Sequence, residues 1–192
     1  MDSQRHFILL VGPSGSGKTS IQQALLRERS LRLRPLVTST SRKPRQGERN
    51  GRDYWFLSRD DFEHGIKEGR FYEWALVYGE YYGSEKSRVQ QAQRKNRTLL
   101  LTLDTQGAEK FKQAHPDALV IFVDAPLVGI RERLLRREMA AAEYQARLQR
   151  IAYEKRWKRR ADFVVMNRDG ALERAVEEIK TFIKNRTYAF GA

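Results

Sequence analysis

The sequence has 192 residues, with 37 Lys or Arg against 24 Asp or Glu, a formal net charge of +13, and no cysteine. That length suits one domain burying about 70% of its unfolded surface. With 40% hydrophobic and 32% charged residues, the chain is too apolar for a disordered tail and too charged for a membrane protein.

The absence of cysteine excludes a disulfide scaffold, a thiolate nucleophile and a cysteine-ligated zinc site. His6, His64 and His115 are too scattered to suggest a metal cluster. No apolar run approaches the roughly 18 residues of a membrane span. The stretch Phe7–Val11 is short and runs into glycines, so it does not read as a signal peptide, and a cytoplasmic location without membrane attachment is expected.

In chain order, residues 6–11 form a continuous apolar run of strand length, followed at once by Gly12-Pro-Ser-Gly-Ser-Gly17. A helix is expected from about Lys18 to Arg29, then a strand at Leu36–Ser39. The turn-rich, aromatic stretch 36–84 reads as an insertion with its own small sheet. It has strands at Tyr54–Leu57 and Phe71–Val77 and a short helix opened by Ser58. Further strands are expected at Thr98–Leu103, Leu119–Val123 and Phe163–Val165, and helices near 106–114, 127–138 and 141–160. A last helix, Ala171–Lys184, puts Leu172, Ala175, Val176, Ile179, Phe182 and Ile183 on one face, and the tail after Arg186 is read as loose. Strands alternating with helices predict an α/β fold with a parallel central sheet.

The positive charge is concentrated. Residues 31–53 carry seven Lys or Arg against two acids, and residues 131–160 carry eleven against four, which is nearly all of the excess. Such runs suit solvated faces or a polyanionic partner. No zinc-finger, basic-zipper or RNA-recognition signature accompanies them, so no specific nucleic acid is expected. Two basic segments can also converge on one small phosphorylated ligand.

Gly12, Pro13, Ser14, Gly15, Ser16, Gly17, Lys18 and Thr19 fit G-x-x-x-x-G-K-[ST] between a strand and a helix. Glycines allow the tight backbone whose N–H groups point at phosphate oxygens, and the helix presents its positive end to the same anion. Lys18 is expected to reach the β- and γ-phosphates of ATP, and the Thr19 hydroxyl to ligate Mg²⁺. Asp104, at the end of an apolar run, is a second metal candidate and equally a helix cap.

Residues 38–54 pack guanidinium, hydroxyl and turn residues into one loop. Arg42 and Arg45 are spaced to close two planar forks on a single phosphate, a geometry that Lys does not reproduce. Tyr54 and Tyr82 offer phenol donors. Glu73 lies inside Phe71-Tyr-Glu-Trp-Ala-Leu-Val77, where a carboxylate needs a partner. The Watson–Crick edge of guanine supplies N1–H beside an exocyclic NH₂, whereas adenine presents an acceptor at N1. A structural ion pair with a nearby Arg is the competing explanation. Ser84 can donate to the guanine oxygen.

From about residue 7 to 183 the chain resembles the guanylate kinase family. The likeness is carried by Gly12–Thr19, Ser41–Glu48 with Gly51–Tyr54, Phe71–Trp74, Tyr81–Ser84 and Asp104–Gly107. It implies a P-loop kinase with a parallel central sheet, a small mixed α/β nucleotide-monophosphate-binding region (about 36–95) and a helical lid (about 127–160). The core would be about 1–35, 96–126 and 161–186. It implies ATP-dependent phosphorylation of GMP, and dGMP with it, using Mg²⁺.

By position the resemblance gives Thr38, Glu73 and Ser84 to the base, and Arg42, Arg45, Tyr54 and Tyr82 to its phosphate, with Asp104 beside the GMP. Arg133, Arg137 and Arg147 correspond to catalytic lid arginines that close over both sets of phosphates, and Asn167 to a residue near the adenine. Leu148 and Trp157 are read as packing the lid helices.

The chain departs from the family pattern at Thr102, where a carboxylate is usual. It departs again after Arg137, where a glycine is missing and Arg136 and Arg137 become exchangeable. Two alternatives stand beside the kinase. One is a phosphopeptide-binding module of guanylate-kinase-like form; the other is a kinase for another phosphorylated acceptor, such as a ribose bisphosphate. A homo-oligomer is compatible with either.

Overall fold

The computed structural model of the chain describes residues 7–94, 98–137 and 139–188. His6, read as opening the first strand, Glu138, read as ending a lid helix, and the tail from residue 189 lie outside them.

Five parallel strands form the central sheet: β1 (Phe7–Val11), β2 (Arg34–Pro35), β7 (Leu99–Thr102), β8 (Leu119–Asp124) and β9 (Phe163–Met166). Their order is β2-β7-β1-β8-β9, so β1 lies at the centre between β7 and β8. Such strands are buried on both faces, which is why their sequences are unbroken apolar runs. Ile8, Leu10, Leu100, Leu119, Ile121 and Val123 point to one side. There they meet Ile21 and Leu25 of α1 (Lys18–Arg27) and Ala175, Val176 and Ile179 of α7 (Leu172–Tyr188). Phe7, Leu9, Val11, Leu101, Val120 and Phe122 point the other way, onto Val89 of α3 (Lys86–Gln93) and Ala108 and Phe111 of α4 (Thr105–Ala114).

A second, four-stranded mixed sheet is built from β3 (Ser39–Thr40), β4 (Trp55–Phe56), β5 (Phe71–Val77) and β6 (Glu80–Glu85), in the order β4-β3-β6-β5. The helix α2 (Arg59–Lys67) accompanies it, opened by Ser58, whose side chain accepts the Asp61 N–H. The helices α5 (Leu127–Leu135) and α6 (Ala141–Arg156) have a small core of their own, in which Ala125, Ile130, Leu134 and Ile151 meet Leu148 and Tyr144. No helix among the described residues is long and apolar enough to cross a membrane.

Three expectations are corrected and two elements are added. Leu36–Ser39 is not one strand: pairing stops at Pro35 and resumes at Ser39, because the chain crosses there from one sheet to the other. The strand β6 and the helix α3 were not expected. The last helix runs past Arg186 to Tyr188. Trp157 does not pack the lid helices, because the chain leaves α6 in a 3-10 turn, Trp157–Arg160, that carries the ring to the Phe7–Phe111 side of the central sheet.

Candidate active site

The strand β1 ends in the middle of the sheet and runs straight into the glycine loop, so the loop sits at the carboxyl edge where α/β folds place ligands. Gly12 has φ 147°, and a Cβ on it would lie 2.2 Å from the Val123 carbonyl oxygen, so no side chain fits. Gly17, at φ 94°, would drive a Cβ to 2.1 Å from Asn167 Nδ2. Asn167 is buried and donates that Nδ2 to the Ser16 carbonyl at 2.7 Å, which makes it a brace for the loop.

Lys18 folds back over the loop, donating to the Gly12 and Pro13 carbonyls at 2.6 and 3.0 Å. Burial pulls its pKa down to about 8; Arg137 and Arg147 push the same way, and Glu154 and Asp104 oppose them. Five charged side chains therefore surround one point. Thr19 is exposed at the first turn of α1.

Asp104 caps α4 by accepting the Gly107 N–H on Oδ1 at 2.7 Å, while its Oδ2 is buried without a protein partner. The helix-cap reading of this residue is therefore observed, and its second oxygen is left without a protein partner. Ser16 Oγ, Arg42 Nε, Thr102 Oγ1 and Glu154 Oε2 are also buried and unpartnered. A protein interior rarely tolerates such groups, and their gathering on the elements around one cleft suits a polar ligand.

On the second sheet, Glu73 of β5 is 3% exposed and pairs in register with Ser84 of β6, whose hydroxyl donates to Glu73 Oε1 at 2.7 Å. Burial raises the Glu73 pKa to about 7; Ser84 and Lys110 oppose the rise, and the charge of Asp104 adds to it. No arginine forms an ion pair with Glu73 among the described residues, which removes the competing explanation for this carboxylate. The first turn of α4 closes on it, for a Cβ on Gly107 would lie 2.8 Å from Glu73 Oε2. Thr38 is buried on the segment leading into β3.

A cluster of two arginines, Glu48 and two tyrosines lies on the same region. Arg42 is held by Glu48 at 3.0 Å, and Glu48 also accepts the Arg45 N–H at 2.7 Å. Burial alone would raise the Glu48 pKa, but Arg42 and Arg45 outweigh it and hold the carboxyl low. The Arg42 guanidinium lies 5.5 Å from the Tyr54 ring centre, and Tyr54 meets Tyr82 edge-on at 6.0 Å. Burial pushes the Tyr54 phenol up to about 12, so it stays a donor.

From the lid, Arg147 is buried and donates to Ser14 Oγ at 2.6 Å while Glu143 holds it from behind. Arg136 and Arg137 both lie exposed after α5. Loss of water lowers the Arg137 pKa, and the charges of Arg45, Arg147 and Arg42 lower it further. Arg133 is engaged differently, paired with Asp169 at 2.6 Å and donating to the Gly15 carbonyl at 3.2 Å.

Two cleft residues escaped the sequence reading. Glu154 of α6 is 3% exposed and is the foremost acidic influence on Lys18. Burial raises its pKa, against Lys18, Arg150 and the Ser14 N–H. Its spacing of seven from Arg147, hence the same helix face, is the signal that could have found it. Tyr78, in the turn between β5 and β6, lies under Arg147 and Arg150.

Residues 4–186 match the family described as guanylate kinase. The chain belongs to the guanylate kinase family. Among its relatives, the guanylate kinase of Symbiobacterium thermophilum is 38% identical over 96% of this chain and 89% of that protein. That of Rubrobacter xylanophilus is 40% identical over 90% of each. The crystal structure of guanylate kinase from Anaplasma phagocytophilum superimposes with a TM-score of 0.75 at 26% identity, covering 95% of this chain and 86% of that one. Membership gives the central sheet its meaning as the scaffold of a P-loop kinase.

Proposed function

We propose that this protein transfers the γ-phosphoryl group of ATP directly to the phosphate of GMP or dGMP, giving GDP or dGDP and ADP. The reading is carried by Glu73, a buried carboxylate whose protein partner is the small Ser84 hydroxyl. Two parallel N–H donors of guanine suit such a carboxylate, and adenine would leave it facing an acceptor.

Thr38 and Ser84 complete the base site. Arg42, Arg45, Tyr54 and Tyr82 take the GMP phosphate, for which the unpartnered Arg42 Nε–H is a ready donor. The glycine loop and Lys18 hold the ATP phosphates, with Asn167 keeping the loop in shape from the adenine side. Arg137 and Arg147 supply positive charge where it develops on the moving phosphoryl group, and Arg133 fastens the lid to the loop. Closure of the lid keeps out water, which competes as acceptor.

On this reading the central sheet is the core, the four-stranded sheet the GMP-binding region and the α5–α6 pair the lid, a division supported by two separate sheets and a separate small core between α5 and α6. The free Asp104 Oδ2 and the Thr19 hydroxyl fit Mg²⁺. That ion takes one or two protein oxygens and completes its shell with phosphate and water, so no larger acidic cluster is required. When bound, it would neutralise negative charge on the ATP phosphates.

An intact Gly17-Lys18-Thr19 gives a phosphopeptide-binding module nothing to do, and the guanine-reading Glu73 gives a ribose bisphosphate kinase nothing to read. An ADP-release assay across GMP, IMP, AMP, CMP and UMP tests the reading. GMP is expected to lead, IMP to follow with one donor lost, and AMP to give almost nothing. Equal rates for GMP and AMP would refute it.

A further inference from the structure

The hairpin joining β5 to β6 turns on two residues, Tyr78 and Gly79, with Val77 paired to Glu80. Both central residues have positive φ, 53° and 81°, the pattern of a type I′ turn. That turn favours Asn, Asp or Gly at its first central position, and a bulky aromatic in the left-handed region is uncommon there. Backbone strain of this sort persists where function uses it.

The Tyr78 ring has an evident use. Arg147 lies 4.3 Å and Arg150 5.2 Å from its centre, both on the lid helix α6. Arg147 reaches onward from the ring to Ser14 Oγ at 2.6 Å, so one guanidinium spans the hairpin and the glycine loop. The strands that carry Tyr78 also carry Glu73 and Ser84, in one continuous register from Glu73↔Ser84 to Val77↔Glu80.

We infer that Tyr78 is a positioning residue that couples the two nucleotide sites: its ring is the seat for the lid arginines, so seating GMP against β5–β6 also holds Arg147 on the ATP loop. This rests on the assignment of GMP to β5–β6 and ATP to Gly12–Thr19. The work belongs to the ring face and not to the phenol oxygen, which is buried without a protein partner. Coupling of this kind is reciprocal, each nucleotide tightening the other by the same factor.

The test is calorimetric titration of GMP into the full chain, with and without saturating Mg²⁺ and a non-hydrolysable ATP analogue. In the native protein the analogue is expected to tighten GMP about five- to thirtyfold, the factor given by a partly to fully desolvated cation–π contact of about 1 to 2 kcal/mol. Tyr78→Phe keeps the factor. Tyr78→Asn, which suits the turn and so does not lower the melting temperature, brings it to within about twofold of unity while GMP binding alone holds. Arg150→Met, which takes one cation off the ring, reduces the factor in part.

A native factor of one, an undiminished factor in Tyr78→Asn or Arg150→Met, or equal loss in Tyr78→Phe and Tyr78→Asn overturns the inference. Failure of the native chain to bind GMP at all contradicts the acceptor assignment and takes this inference with it. A native chain that binds both nucleotides with no coupling between them contradicts the inference alone.

Discussion

Glu73 and Ser84 face each other across two paired strands, both buried, and the Ser84 hydroxyl donates to the Glu73 carboxylate at 2.7 Å. Burial raises the carboxyl to about 7 from its ordinary 4.5. Guanine donors favour the ionised form, so GMP binding near neutrality releases a proton. GMP affinity is expected to fall about fivefold from pH 7 to pH 6, read by calorimetry in buffers of different ionisation heat. A flat profile with no proton release would contradict this role.

The same shift bears on stability. The folded state keeps the Glu73 proton to a higher pH than the unfolded chain does, so stability is lost as pH climbs from about 4.5 to 7, and the loss is complete above 7. Glu73→Gln is therefore expected to melt higher than the native protein at pH 8, by up to about 3 kcal/mol, and no higher at pH 4.5. Its kcat/KM for GMP should drop sharply. Equal melting at both pH values would count against the buried carboxylate.

Gly107→Ala adds one methyl group 2.8 Å from Glu73 Oε2. The carboxylate must move, and a shift of that size costs about ten- to a hundredfold in kcat/KM for GMP. KM for ATP should hold within about twofold, since the change lies on the base side of the cleft. Steady-state kinetics with each substrate varied reads the difference; equal effects on both would point to a general loss of packing.

Lys18→Ala removes the cation held over the Gly12 and Pro13 carbonyls. Turnover is expected to fall at least about a hundredfold while the GMP dissociation constant stays within about twofold. Normal turnover in the purified variant would remove Lys18 from the phosphate cradle.

Arg42→Lys keeps the charge beside Glu48 and Tyr54 but loses the fork. A fall of about tenfold or more in kcat/KM for GMP is expected. Kinetics unchanged from the native enzyme would rule out a clamp built on guanidinium geometry.

The central sheet was legible because parallel strands buried on both faces must be apolar along their whole length, as Phe7–Val11 and Leu119–Asp124 are. The glycine loop, the Arg42–Arg45 pair and Glu73 stood out in the sequence because each breaks an ordinary pattern, and the structure gives Glu73 the Ser84 hydroxyl and Arg42 the Glu48 carboxylate as partners. By contrast, β6, Glu80-Tyr-Tyr-Gly-Ser-Glu85, owes its conformation to pairing with β5 and β3, which no local propensity reports. The helix α3 buries Val89 alone and shows no stripe. Glu154 and Tyr78 join the cleft through tertiary packing, although a Tyr-Gly where Asn-Gly is usual was a visible oddity. Much of the basic lid that suggested a polyanion is used internally: Arg133 on Asp169, Arg147 on Ser14, and Lys155 on Asp124 at 2.8 Å.

A crystal structure with GMP and a non-hydrolysable ATP analogue tests the central claim most directly. The account expects guanine N1–H and the exocyclic NH₂ both on the Glu73 carboxylate, with the Ser84 hydroxyl turned toward the guanine oxygen. A guanine bound elsewhere, with Glu73 still holding Ser84 alone, would contradict it.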